Sequence, residues 1–441
     1  VTRNCIIVSP YFPPSTLAGV HRARHLAKHL PAAGWQPIVV CVDETHHEEK
    51  LDPGLANLVP ASVEIVKVAA LSPRVCRPLG LGEISVRAWR SLRAAVLRLI
   101  ETRNIEAVLI TGSPYYPMLL AAEIKRRGVP IVLDFQDPWV SAWGATQPRF
   151  SKVGAAHRLA ILLEPKAVAA ADYITSVSET QNAEMRARYP DFPADRMAAI
   201  PIGGDPEDYD ALRRAPPPRD LLSPEQWHGQ LTLAYVGTMM PGTLPLMDVF
   251  MAAFANARKR EQALSNVRLL FVGTSNQPND TTTYSVLPIA RKHGIQTNIN
   301  ETPQRVPYLD ALAVLARSHG VLLIGSVERH YTASKIYPGL MSGRPYLSVF
   351  HRESSSHEIL SRAGGGIALG FAGQDSLADV EQPLADALVR LVTTPEDFGR
   401  ADPAAYAAYE ARAIAAQYAA IFDRLAGHRR SEASDTMLKA V

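Results

Sequence analysis

Short apolar runs alternate with longer amphipathic stretches along almost the whole chain. The runs near 4–9, 36–42, 63–68, 106–111, 130–135, 173–177 and 198–201 are strand-length and nearly continuous in apolar residues, "AVLIT" and "PIVLDF" among them. Strands buried on both faces of a parallel sheet carry this signature, whereas half-solvated strands alternate. Between these runs a helical period fits 19–33, 84–103, 115–127, 154–171 and 179–188. Gly34 and Gly128 stand where helix C-terminal stops belong, each just before the next strand.

The alternation breaks at "RRAPPPRDLLSPEQWHGQ", residues 213–230, where three consecutive prolines amid charge can continue neither element. It then restarts. Strands are predicted near 231–236, 267–273, 297–301, 320–324, 346–350 and 366–369, and helices near 245–262, 284–293, 307–317, 335–342, 354–363 and 382–394. The Ala-rich stretch 404–426 closes the pattern. The expected architecture is α/β, with two Rossmann-like, doubly wound domains. They are an N-terminal domain 1–212, a linker 213–230, a C-terminal domain 231–403, a helix 404–427 returning toward the first domain, and a frayed tail 428–441. Ligands of such sheets bind beyond the carboxyl ends of the strands.

Composition narrows the function without naming it. At 441 residues the chain exceeds one ordinary core, which agrees with two domains. The formal charge of +3 gives no electrostatic case for nucleic acid. The three cysteines, Cys5, Cys41 and Cys76, have no metal spacing and are odd in number, so a reduced, cytoplasmic setting is expected, and a strand near the start of the chain leads to the expectation of no signal peptide. No apolar run reaches spanning length. The segment 74–103 holds seven Arg against two Glu, a composition that can lie peripherally on an anionic membrane surface or simply cover a sheet with a charged outer face.

Candidate chemistry starts at "SPYFPPSTLAGVHRARHL", residues 9–26, where prolines stiffen a loop before a helix and Gly19 removes a side chain at its entry. Helix N-termini attract anions, so the stretch reads as a phosphate or carboxylate cradle. Arg22 and Arg24 follow on that helix; residues two apart point to different faces, and Arg22 is the one assigned to a ligand. In "DFQDPW", Asp134 and Asp137 flank a strand end, with Asp137 toward the ligand and Asp134 structural, and Trp139 follows in the same loop. Ser334 fits a helix cap and Lys335 its first turn, where a cation opposes the helix dipole unless an anion bridges them.

Several stretches together resemble the bacterial GT-B glycosyltransferases of the retaining, glycogen-synthase-like superfamily. "SPYFPPSTLAGVHRARHLAKHLPAAGWQPIVV" resembles their opening, and "VLDFQDPW" the "DxRDPW" signature of one branch. "ADYITSVSE" with "IPIGGDPEDYD" resembles the close of their first domain, "LAYVGTM" the start of the second, and "SKIYPGLMSGRPYLSV" the donor-site helix. The resemblance implies two domains across a cleft and transfer of a sugar from a nucleotide-diphosphate donor to a glycan, lipid-linked or small-molecule acceptor. It implies no metal or other cofactor, and a place in polysaccharide biosynthesis. By position it implies donor contacts from Gly19, Gly237, Glu328, His330, Ser334, Lys335 and Ile336, and acceptor contacts from Arg22 and Trp139. Asp137 and Lys335 stand in the catalytic positions. An inverting enzyme with Asp137 as base, and a non-catalytic sugar-nucleotide-binding protein, are the alternatives. The chain departs from the pattern twice. His330 and Pro338 occupy the positions of the usual Glu-x7-Glu, and "VGTMMPGTLPLM" carries no basic residue after its turn.

Overall fold

The computed structural model describes residues 3–215, 221, 230–275, 277, 280–329 and 333–439. The chain divides into two compact units, one formed by the residues through Ile202 together with the helix Ala411–Lys439, the other by Gly203–Glu410.

The first unit is a parallel sheet of seven strands, β1 (Arg3–Val8), β2 (Trp35–Val42), β3 (Glu64–Val68), β4 (Ile105–Gly112), β5 (Ile131–Phe135), β6 (Tyr173–Ser176) and β7 (Met197–Ala199). Their order is β3-β2-β1-β4-β5-β6-β7. The alternating geometry of a strand sends successive side chains to opposite faces. In β1, Ile6 and Val8 join one cluster with Leu92 and Val96 of α2 (Trp89–Thr102). Cys5 and Ile7 join another, with Leu26 of a helix preceding β2 and with Ile414, Tyr418 and Phe422 of the C-terminal helix. That earlier helix is α1 (Val20–His29); α3 (Ala121–Arg126) and α4 (Lys152–Ala170) complete the set used below.

The second unit holds six parallel strands, β8 (Thr232–Val236), β9 (Arg268–Val272), β10 (Ile299–Thr302), β11 (Gly320–Ile324), β12 (Tyr346–His351) and β13 (Gly366–Phe371), in the order β10-β9-β8-β11-β12-β13. Around them lie α5 (Leu244–Arg260), α6 (Ile336–Met341), α7 (Ser355–Ala363) and α8 (Glu381–Thr393). In both sheets the first strand sits centrally and the order reverses beside it, between β1 and β4 and between β8 and β11. Such reversals open a crevice at the carboxyl ends of the strands.

Several element boundaries differ from the sequence reading, each for a local reason. The helix expected over 84–103 breaks at Ala88, where the buried Arg87 turns inward and donates to the carbonyls of Leu71, Gly82 and His46. The first unit ends at Ile202 rather than 212, because the helix Pro206–Arg214 packs Tyr209 and Leu212 beside Tyr337 and Leu340 in the second unit's core. Tyr209 Oη also donates to the Pro338 carbonyl at 2.6 Å. The linker read over 213–230 falls largely outside the described residues. The stretch 404–426 is two pieces, Pro403–Tyr406 in the second unit and Ala411–Lys439 in the first. The latter helix continues through the segment expected to fray. Among the described residues no helix is long and apolar enough to cross a membrane.

Candidate functional site

In the second unit the site is built where β8 and β11 part. After Val236 the chain turns at Gly237, whose φ of +143° is a region that residues with a Cβ avoid. A Cβ there would also lie 3.2 Å from Lys335 Cδ. Five residues on, Gly242 closes against the loop that follows β11. Its carbonyl accepts the Val327 N–H at 2.9 Å, and a Cβ on it would meet Ser326 Oγ at 2.5 Å and Glu328 Oε1 at 3.5 Å. The segment 237–242 is therefore flanked by Lys335 at one end and by Ser326 and the exposed Glu328 at the other. It leads into α5, where the Thr243 side chain is fully buried and its Oγ1 has no hydrogen-bond partner among the described residues. The Thr243 and Leu244 N–H groups are already taken by the carbonyls of Met240 and Pro241, and Pro245 has none, so it is the buried, unsatisfied Thr243 hydroxyl at the start of this long helix that is suited to a polar or anionic ligand.

Lys335 supplies the positive charge. Its ammonium lies 4.2 Å from the Tyr235 ring centroid and donates to Tyr235 Oη. Tyr235 itself is fully buried on β8, and its Oη donates to the Thr238 carbonyl at 3.1 Å. Burial pulls the Lys335 ammonium down from the usual lysine range to about 7. An aromatic face and a phenolic oxygen thus orient a cation that is short of hydration, beside the Gly237 turn. Gly237→Ala is expected to lower the stability of this unit by roughly 1–3 kcal/mol, from the backbone conformation alone. Urea unfolding measures it.

In the first unit the corresponding crevice is filled more by the protein itself. A Cβ on Gly19 would lie 3.3 Å from the Ser113 carbonyl oxygen and 3.6 Å from Gln136 Oε1, so this glycine admits protein atoms after β4 and β5. Asp137 is exposed just beyond β5, and its carbonyl accepts the Tyr115 hydroxyl at 2.9 Å. Part of its surface stays open to solvent, but the protein packed around the carboxyl strips enough of its hydration to raise it above the ordinary range, the direction that favours a general base.

The expected acceptor contacts are corrected by this geometry. Arg22 is fully buried, paired with Asp134 Oδ2 at 3.1 Å, and donates to the Ile200 and Pro201 carbonyls. Asp134 Oδ1 accepts from Thr175 Oγ1 and from Tyr418 Oη, both at 2.8 Å, and the Arg22 guanidinium lies 5.3 Å from the Tyr418 ring centroid. Arg22 is thus a tie between α1, β5, the end of the first unit's chain trace and the C-terminal helix. Arg24 is also fully buried, against His25 Nε2 at 2.8 Å. Trp139 stacks on Tyr115 with ring centroids 5.3 Å apart and an interplanar angle of 11°, and Tyr116 meets it edge-on. Its face belongs to an internal stack.

The donor residues divide. Lys335, Gly237 and Glu328 come together around the segment after β8. Lys335 is the cap residue of α6 and not, as expected, in its first turn with Ser334 as cap; Ser334 lies half-buried one residue earlier. The Ile336 side chain is fully buried in the core and its N–H donates to the Ala333 carbonyl at 3.1 Å, so neither is offered to a ligand. His330 lies outside the described residues. Sequence reasoning missed Tyr235, Thr243 and Tyr418. The apolar runs around them read as core, and their polar tips leave no periodic mark.

Residues 18–203 match the glycosyl transferase 4-like domain family. No curated protein matches the chain by sequence. Among solved structures, an alpha,alpha-trehalose-phosphate synthase (UDP-forming) from Burkholderia vietnamiensis superposes with a TM-score of 0.61 at 13% identity, covering 97% of this chain and 100% of that one. Anabaena HepE in complex with UDP-glucose gives 0.56 at 13% identity, covering 97% and 99%. A Listeria monocytogenes protein described as a UDP-N-acetylglucosamine 2-epimerase gives 0.53 at 12% identity, covering 96% and 97%. At such identities the likeness is one of fold, and the fold is that of the GT-B glycosyltransferases.

Proposed function

We propose that this protein is a glycosyltransferase that moves a sugar from a nucleotide-diphosphate donor to a hydroxyl of a glycan, lipid-linked or small-molecule acceptor. The observation that carries the reading is the Lys335 ammonium held over Tyr235 beside the Gly237 turn, where β8 and β11 part. Departure of a nucleoside diphosphate builds negative charge, and fixed positive electrostatics is the main catalytic aid to it. Lys335, with the unpartnered Thr243 hydroxyl at the start of α5, would meet the diphosphate. The leaving phosphate would take the acceptor proton, with retention, and no metal is assigned a step. Glu328 would contact the transferred sugar. The described thiols, Cys5, Cys41 and Cys76, are all free and buried, in keeping with a cytoplasmic setting.

A second reading rests on Asp137, which is exposed with a raised carboxyl and could act as base in an inverting reaction. Incubating the protein with UDP- and GDP-sugars and reading the anomeric configuration of product by NMR separates the two. Donor binding without transfer or hydrolysis would sink both in favour of a binding protein.

Lys335 gives the binding step a pH signature. Burial holds the Lys335 ammonium at about 7, and a bound diphosphate would favour the charged form and raise that value. A sugar-linked diphosphate has no ionisation of its own in this range. Between the free and bound values, binding takes up a proton, so affinity falls as pH rises above about 7. Calorimetry near pH 8 in buffers of different ionisation enthalpy is expected to show this uptake; its absence would remove Lys335 from the diphosphate contact.

A further inference from the structure

The surface of the first unit carries large apolar side chains that the proposed chemistry does not use. Phe150 is 92% exposed, Leu162 66% and Trp143 62%, with Leu159 and Ile161 also open. Leu159, Ile161 and Leu162 belong to α4, Phe150 to the loop before it and Trp143 to the short helix Ala142–Ala145. From Pro138 through Leu163 the chain contains no Asp or Glu, while Arg149, Lys152 and Arg158 are exposed. The next acid, Glu164, is fully buried, accepting from the Val140 N–H, Arg188 and Tyr189. The outer surface of the helix therefore shows cations without a compensating carboxylate of its own.

At 3.6 residues per turn, Arg158, Leu159, Leu162 and Lys166 fall on one exposed face, with Lys152 at its border. Phe150 extends the apolar part from the preceding loop, with the Arg158 guanidinium 5.9 Å from its ring centroid. Beyond Lys166 the same helix meets α3 at a recess of about 500 Å³ lined in part by Lys125 and Arg126.

We propose that this face docks on an anionic lipid surface. An apolar stripe bordered by lysine and arginine is the pattern of a helix lying in a membrane interface, where the apolar side chains enter the headgroup boundary and the cations meet phosphates. Tryptophan is favoured at that depth. A second copy of the chain fits the patch less well. A two-fold dimer would set the same patch against itself and bring its arginines and lysines together. The segment 74–103, which the composition suggests for this role, is a weaker candidate. Four of its seven arginines face carboxylates: Arg77 and Arg87 toward Glu48, Arg93 toward Glu123 and Arg103 toward Glu64. The docking proposal stands apart from the assignment of catalytic residues, since it uses none of them.

The test is co-sedimentation of the full chain with vesicles rich in phosphatidylglycerol and with vesicles of phosphatidylcholine alone. Binding to the anionic vesicles is expected, weakening as salt rises. Each basic residue near such a surface contributes about a factor of five, so Arg149→Gln, Lys152→Gln and Arg158→Gln together are expected to lower the partition constant about 100-fold. Phe150→Ser with Leu162→Ser weakens binding at every salt concentration, and Arg90→Gln with Arg98→Gln leaves it unchanged. All these side chains are exposed, and unchanged melting temperatures confirm folded variants. Equal binding to both vesicle types, no binding to either, or anionic binding that the triple variant retains would each overturn the proposal. Self-association that the Phe150→Ser, Leu162→Ser variant abolishes, without vesicle binding, would reassign the face to contact between copies and overturn it as well.

Discussion

Asp134→Ala is expected to destabilise the first unit by about 3–5 kcal/mol, the cost of breaking a buried ion pair from one side. The Arg22 guanidinium would keep its carbonyl partners, Ile200 and Pro201, but lose its counter-charge in a fully buried position. Two further groups would lose their acceptor, Thr175 Oγ1 and Tyr418 Oη. Tyr418→Phe removes one hydrogen bond to the carboxylate and leaves the ion pair, so it is expected to cost only about 1–3 kcal/mol. Arg22→Met combined with Asp134→Leu is expected to cost less than the sum of the singles, because no charge is left stranded. Urea unfolding followed by a probe in the first unit measures these variants and the Arg22→Met and Asp134→Leu singles. A loss below about 1 kcal/mol for Asp134→Ala would show that the pair is not what ties α1 and the C-terminal helix to β5.

That network also marks where the sequence stops being legible. The strands were readable because a strand buried on both faces is a short continuous apolar run; Cys5–Val8, at the heart of the first sheet, is such a run and is fully buried. Two doubly wound units follow from the alternation of such runs with helices. The partner of Arg22 does not follow. Asp134 lies 112 residues away and Tyr418 is 284 residues beyond Asp134, and no local period links them. An arginine on a helix reads as solvated or ligand-facing, because burying one is costly unless a distant counter-charge arrives. Trp139 is suited to stacking, and sequence shows as much, but not that Tyr115, brought there by β4 ending beside β5, takes one face of its ring. Ile336 matches the family's donor helix in sequence, but the register of α6 turns it into the core. Lys335 was legible because a cation at a helix start is locally unfavourable, and local conflicts of this kind gather at sites of function.

Lys335→Ala is expected to lower turnover roughly 10²-fold, the loss that follows removal of one preorganised electrostatic donor. A fall in activity alone would not separate a ligand contact from a structural residue, but stability does. The folded-state ammonium titrates at about 7 against an ordinary 10.5, so between those values the unfolded chain binds more protons than the folded one. Stability contributed through this group therefore rises with pH across that window, and the buried ammonium weighs against folding most fully below about pH 7. Lys335→Met removes the charge while keeping an apolar stem over Tyr235. It is expected to be as stable as the parent or more so at pH 7, to lose the rise in stability above that pH, and to be as inactive as the alanine variant. In the parent, kcat/KM should decline as pH rises through about 7, reporting the free protein, while the same limb in kcat moves to higher pH because bound diphosphate holds the proton. Lys335→Arg stays charged throughout and should lose the limb from both profiles. A Lys335→Met variant that melts well below the parent yet keeps its kcat would place this lysine in the architecture and take it out of the reaction.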